Sequence, residues 1–418
     1  MKFKMRMLKV LIILAVISFI PNVSFADGEK NNNKSETNTD TIPLSRRFIH
    51  RLGIEGRPTY IIPTHSFFRG NNYFEKPLRN AYSAHLKYSF QFAPDTYADH
   101  IYGGVYQGIG LAYYNFGDRH ELGNPFAFYL FQGARIAQLT PRLSINYEWN
   151  FGASAGWTPY DYDYNNYNKV IGSRINAYLD VNFHFKWMLS KLFDFTAGVD
   201  LSHFSNGNTK YPNGGLNTAG LRVGLVYNFN RKDNYLSQQM FQPVIPEFPR
   251  HISYDMVLFG SWRRKGVAFG DEQVAAPGAY TVVGFNFSPM YNFGYKFRAG
   301  VSLDGVYDGS ANIYTEDYIV GTEQPFYKPP LKNQLALGLS GRIEYVMPYF
   351  TVNVGIGANV LHGGGDLKGL YQVLALKVEL TRSSFLHIGY NLQNFHTPNY
   401  LMLGIGYRFH NKYPLFHR

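Results

Sequence analysis

The 418-residue sequence contains no cysteine, so nothing in its fold depends on redox state. It has a single long apolar run, residues 10–20, which is shorter than the ~20 residues that a membrane-spanning helix needs. We can assign no segment with a helical period to the rest of the chain. These absences argue against a helical membrane protein and against a disulfide-stabilised fold.

The N-terminus has the three regions of a secretory signal peptide. Four basic residues precede the apolar run, and Ser24, Phe25 and Ala26 place small residues where a signal peptidase cleaves. We therefore predict a signal peptide over residues 1–26. The polar, low-complexity stretch that follows predicts a flexible periplasmic leader over residues 27–45.

The charge balance favours an anionic partner. The predicted signal peptide contains four of the 40 Lys and Arg and none of the 29 Asp and Glu, so the remaining chain carries a net charge of +7. Nucleic acid is not expected as a partner of a secreted chain. An anionic membrane surface is the better candidate.

The remaining sequence is aromatic and alternates in polarity. The full sequence has 34 Tyr, 34 Phe and 41 Gly. Residues 174–187, RINAYLDVNFHFKW, place seven mostly apolar side chains on one face and seven polar or Tyr side chains on the other. Residues 350–360 and 371–380 alternate in the same way, and we count about sixteen such segments between residues 54 and 410. The pattern predicts an all-β, antiparallel up-and-down transmembrane β-barrel.

The connections support this prediction, because those after odd-numbered strands are mostly long and those after even-numbered strands mostly short. Two even-numbered connections, 94–103 and 231–250, are exceptions. The second contains three Pro and divides the chain into eight-strand halves, 46–230 and 251–418, joined by a linker over 231–250. Similar last strands in the two halves suggest duplication. One large barrel and two small ones both remain open.

One hairpin carries polar groups on an otherwise apolar face. Alternation places His203 and Ser205 on the lipid-facing side of one strand, and Asn217 on the same side of the returning strand. Polar groups in lipid are costly when they are unpaired, so a polar trio on this face needs an explanation. This trio is suited to nucleophilic catalysis, with Ser205 as nucleophile, His203 as base and Asn217 orienting the imidazole. A backbone N–H near Asn206 or Gly207 would bind the oxyanion. Alternatively, these residues have no catalytic role and are polar because they lie at the level of the lipid headgroups.

The segment His203-Phe204-Ser205-Asn206 resembles the His-x-Ser-Asn motif of the PagL-type lipid A 3-O-deacylases, outer-membrane barrels also described as acyloxyacyl hydrolases. The resemblance implies a cofactor-independent serine esterase in the outer membrane that removes an ester-linked acyl chain from lipid A of lipopolysaccharide. It assigns His203 as base and Ser205 as nucleophile. Asn217 stands where the family has Glu, which implies a weaker or altered site. The second half lacks a His-x-Ser pair at its corresponding hairpin, residues 393–399, and is expected to be scaffold.

Two other functions are compatible with the sequence. A non-catalytic pore or binding barrel would explain the polar inner face and the Asn at the acid position. Adhesion through the loop rich in Tyr and Asn near residue 160 is a third candidate. We find no metal-ligand cluster and no nucleotide motif, and the oligomeric state, including a homodimer, stays open.

Overall fold

The computed structural model describes residues 48–94, 96–231, 245–269, 272–316, 324–395 and 397–413. The predicted signal peptide, the predicted leader and most of the predicted linker lie outside these ranges, as does His396 in the hairpin of the second half. Residues 49–418 form one compact unit.

The first half of the chain forms a closed barrel of eight antiparallel strands. Its closure is made by the first and last strands, for example where Gly56 lies opposite Val223. The strands are β1 (Phe48–Ile61), β2 (Asn80–Phe92), β3 (Tyr106–Asn115), β4 (Gly123–Thr140), β5 (Leu143–Trp157), β6 (Ile175–Met188), β7 (Phe193–Ser205) and β8 (Leu216–Asn228).

The second half forms another closed barrel of eight long strands, with two short hairpins in its longer connections. In chain order, the strands are β9 (His251–Arg263), β10 (Gly266–Phe269), β11 (Glu272–Ala275), β12 (Tyr280–Asn292), β13 (Phe297–Asp308), β14 (Tyr314–Thr315), β15 (Phe326–Tyr327), β16 (Leu335–Val346), β17 (Phe350–His362), β18 (Leu370–Glu379), β19 (Ser384–Gln393) and β20 (Thr397–Phe409). The hairpins are β10–β11 and β14–β15. The prediction of sixteen barrel strands in two eight-strand halves is confirmed, and the halves close separately.

Both barrels alternate apolar outward residues with polar inward ones, as the sequence predicts. In β6, Phe183 and Phe185 are exposed on the outer face, whereas Asn182 and His184 are buried inside. Buried ion pairs fill the interior of the first barrel. Arg57 contacts Glu55 at 2.9 Å and Asp180 at 3.0 Å, and Lys87 contacts Glu55 and Glu148.

The second barrel is filled in the same way. Asp255 accepts from Arg408 at 2.8 Å and from Lys377 at 2.7 Å, and Arg298 pairs with Glu344. An eight-stranded barrel encloses only enough room for side chains. The wide lumen that the pore alternative requires is therefore not a feature of the described barrels.

Helix is scarce but present, which the sequence reading did not anticipate. The irregular connection after β2 contains α1 (Tyr97–Tyr102), capped at its start by Thr96, whose Oγ accepts from the Asp99 N–H. Within the described ranges, no helix is long and apolar enough to cross a membrane. The α1 helix reaches the second barrel, where the Tyr102 hydroxyl donates to the Tyr295 carbonyl at 3.3 Å.

The two barrels pack against each other along β4 and β5 of the first. Trp149 packs edge-on against Phe350 with ring centroids 5.0 Å apart, and the Tyr147 and Tyr345 hydroxyls lie 3.5 Å apart. Gln132, an outward residue of β4, is fully buried and donates to the Pro348 carbonyl at 2.9 Å. A polar side chain on the outer face of a lone barrel would lie in lipid, so its burial here marks this face as an interface.

Candidate active site

The β7–β8 hairpin brings His203 and Asn217 directly opposite each other. They are register partners across the two strands, and both side chains lie on the outer face, partly buried. His203 Nδ1 and Asn217 Oδ1 are 2.7 Å apart. Alternation along two strands and the hairpin register produce this pair.

The hydrogen bond determines which imidazole nitrogen is free. Asn217 Oδ1 is an acceptor, so Nδ1 of a neutral His203 carries the proton and donates it. Nε2 is then left with a lone pair that can accept a proton. This is the tautomer that a general base in a serine hydrolase needs.

Ser205 lies two residues beyond His203, on the same face and at the end of β7. Its cross-strand partner on β6 is Ala177, whose side chain is a single methyl group. Among the described residues, the Ser205 hydroxyl makes no hydrogen bond. Catalytic hydrogen bonds are often long without substrate and shorten when it binds.

Phe204, between the two predicted catalytic residues, anchors the strand from inside. Its side chain is fully buried and stacks on Tyr178 with ring centroids 5.3 Å apart. It also meets Trp157 and Tyr114 at 5.2 and 5.0 Å. This aromatic cluster fixes the backbone from which His203 and Ser205 project outward.

The loop after β7 supports the imidazole through a glycine that sequence reasoning missed. Gly215 has φ +72°, and a β-carbon there would lie 3.1 Å from His203 Cε1. Its N–H donates to the Val170 carbonyl at 3.0 Å, which ties it to the connection between β5 and β6. Only glycine adopts this backbone without strain and leaves room for the ring. A single sequence does not reveal such a contact, because it depends on the folded path of two loops.

The two predicted oxyanion positions differ in what their N–H groups do. The Asn206 N–H donates to Asn213 Oδ1 at 3.0 Å. Gly207 follows with φ +62°, and its N–H has no partner among the described residues. Of the two predicted oxyanion donors, the Gly207 N–H therefore makes no competing hydrogen bond among the described residues, whereas the Asn206 N–H is already used by Asn213.

Comparisons with known proteins match both halves of the chain. A family described as lipid A 3-O-deacylase (PagL) matches residues 66–226, and one described as the acyloxyacyl hydrolase C-terminal domain matches residues 252–411. The two matches together cover well over half of the 418 residues. None of the curated proteins that were compared matches the chain.

Among the similar solved structures, two match about two fifths of this chain and nearly all of their own. Neisserial surface protein A is 9% identical with a TM-score of 0.29, and the match covers 43% of this chain and 97% of that one. The outer-membrane enzyme PagL is 15% identical with a TM-score of 0.28, over 41% of this chain and 97% of that one. On the strength of its two family matches, the chain belongs to the PagL-type lipid A 3-O-deacylases, ester hydrolases of the outer membrane.

Proposed function

We propose that this protein is a serine hydrolase that removes the 3-O-linked acyl chain of lipid A, with Ser205 as nucleophile and His203 as base. The observation that carries the proposal is the 2.7 Å contact between His203 Nδ1 and Asn217 Oδ1, on the lipid-facing side and two residues from Ser205. Membership of a lipid A 3-O-deacylase family supplies the substrate class.

In the acylation step, Ser205 Oγ attacks the carbonyl carbon of the ester. His203 Nε2 takes the hydroxyl proton, and the carbonyl oxygen becomes an oxyanion that the Gly207 N–H binds. Collapse of this tetrahedral intermediate breaks the bond to the sugar oxygen. That oxygen receives the proton from His203 and leaves as the free 3-hydroxyl, while the acyl chain stays on Ser205.

In the deacylation step, water replaces the sugar hydroxyl and attacks the acyl-enzyme carbonyl. His203 Nε2 removes a proton from the water and then returns one to Ser205 Oγ as the fatty acid leaves. The products are a fatty acid and lipid A with one fewer acyl chain. Ser205 and His203 are regenerated in their starting protonation states.

Asn217 orients His203 without adding charge. Its Oδ1 holds the Nδ1–H tautomer, as an Asn does in Cys-His-Asn proteases. The imidazolium formed in each step lacks the carboxylate that the family's Glu provides. The site is therefore expected to be active but slower than one with Glu.

Variants of Asn217 test this assignment. Asn217→Ala is expected to lower the overall rate of lipid A deacylation by on the order of 10²-fold, because His203 loses its orienting acceptor. Asn217→Glu is expected to raise the rate roughly fivefold, since a hydrogen bond to a carboxylate is stronger than one to an amide. The measurement is mass spectrometry of lipid A from a Gram-negative host expressing each variant, which detects loss of one hydroxyacyl mass.

Asn166→Ala is the matched control, because Asn166 is exposed in an outer loop. It should behave as wild type. Full activity of the Asn217→Ala variant would show that Asn217 does not orient His203 for catalysis. Lipid A that is unchanged on expression of wild-type protein would contradict the proposed function.

A further inference from the structure

The second barrel touches the candidate active site at Gly207. A β-carbon on this buried glycine would lie 3.5 Å from both Leu401 Cδ1 and Tyr390 Cε2. Leu401 and Tyr390 are register partners on β20 and β19, and both project from the outer face of the second barrel. The predicted oxyanion residue is therefore packed against a leucine and a tyrosine ring of the second barrel.

Hydrogen bonds extend this contact along the loop. The Asn208 side chain donates to the Asn399 carbonyl at 3.2 Å, and the Asn208 carbonyl accepts from the Arg264 N–H at 3.0 Å. Asn208 Oδ1 in turn accepts from Asn213 Nδ2 at 3.1 Å, within the loop that holds Asn206. The second barrel thus fixes the loop that follows Ser205.

Small residues lie beside Ser205 on the first barrel. Its partner on β6 is Ala177, whose own partner on β5 is Ala153, and both are partly buried. Larger side chains follow in the next row of the same face, where His203, Leu179 and Phe151 lie side by side. The alanines form a shallow strip that begins at the nucleophile.

Contacts between the barrels bracket this strip. At the outer end, Gly207 meets Leu401 and Tyr390, and further toward the periplasm Trp149 meets Phe350. Trp149 is four residues from Ala153 on β5, which corresponds to about 13 Å along an extended strand. One contact with the second barrel thus lies two residues from Ser205, and the other lies about 13 Å from Ala153 along β5.

We propose that the second barrel completes the substrate site, with Leu401 and Tyr390 as one wall of a groove that holds the scissile acyl chain. The Ala177–Ala153 strip is the floor. This inference rests on the proposed function, since it takes Ser205 as the point where the ester is attacked. It assigns a specificity role to a half of the chain that the sequence alone identified only as scaffold.

The proposal predicts a change in acyl-chain selectivity. Leu401→Trp fills part of the groove, so the kcat/KM for a myristoyl ester is expected to fall about tenfold or more. The kcat/KM for a butyryl ester, whose short chain still fits in the narrowed groove, should fall much less. Rates are measured with purified full-length protein in detergent micelles. Tyr390→Ala, which removes the other wall residue, should also lower the myristoyl-to-butyryl ratio.

Ile405→Trp is the matched control, since Ile405 projects from the same face of β20 and is 62% exposed, four residues from Leu401. It should leave both rates unchanged. Equal loss on both esters in Leu401→Trp and Tyr390→Ala, or no loss on either, would overturn the groove assignment. If wild-type protein hydrolyses neither ester nor lipid A, the proposed function itself fails. A wild-type enzyme that is active but whose chain-length ratio these variants do not shift rejects only the groove.

Discussion

Ser205→Ala is expected to lower lipid A deacylation by roughly 10⁴-fold or more, the scale of losing the nucleophile of a catalytic triad. The variant removes only the hydroxyl at the end of β7. The His203–Asn217 hydrogen bond does not involve that hydroxyl and should persist. Lipid A from cells expressing the variant should have the same mass distribution as lipid A from cells without the protein.

Ser190→Ala is the control for this substitution. Ser190 lies in the exposed turn that connects β6 and β7, at the opposite end of β7 from Ser205, where its hydroxyl accepts from the N–H groups of Leu192 and Phe193. It should deacylate lipid A at the wild-type rate. Residual activity of Ser205→Ala within tenfold of wild type would mean that another group attacks the ester.

Phe204→Ala is expected to destabilise the first barrel by about 3–5 kcal/mol, the usual cost of removing a buried Phe ring. The ring stacks on Tyr178 and contacts Tyr114, Phe116 and Trp157, so its loss leaves a cavity under the site. Urea unfolding of the protein refolded into lipid vesicles measures the change. Activity should fall as well, because the strand that carries His203 and Ser205 loses its inner anchor.

Tyr164→Ala is the matched aromatic substitution, at a side chain that is 86% exposed in an outer loop. Its free energy of unfolding should stay within about 0.5 kcal/mol of wild type. A similarly small change in the free energy of unfolding of Phe204→Ala would contradict the anchoring role of the aromatic cluster.

Much of the fold could be predicted because strand alternation is a local property. The predicted strand 174–187 differs by one residue at each end from the observed β6 (Ile175–Met188). Sequence does not decide between one barrel and two, because closure depends on pairing between distant strands such as β1 with β8, which no local period encodes. The short α1 helix was missed, because it lies in a connection without apolar periodicity.

In the candidate site, too, the features set by local sequence could be predicted, whereas those set by contacts between distant segments could not. Alternation along the two strands of one hairpin places His203 and Asn217 on the same face, so their proximity is predictable from sequence. Two other contacts depend on how the loops fold, which sequence alone does not show. One is the contact of Gly215 with the imidazole, and the other is the hydrogen bond from the Asn206 N–H to Asn213. The contacts of Gly207 with Leu401 and Tyr390 arise from packing between the barrels and have no sequence signal.

If His203 activates Ser205 as a nucleophile, Ser205 should react with a fluorophosphonate, which modifies activated serines. The reaction is followed by mass spectrometry of the purified protein. We expect one adduct, on the peptide containing Ser205, that is absent in Ser205→Ala and forms far more slowly in His203→Gln. An adduct on another residue, or a labelling rate that His203→Gln leaves unchanged, would contradict it.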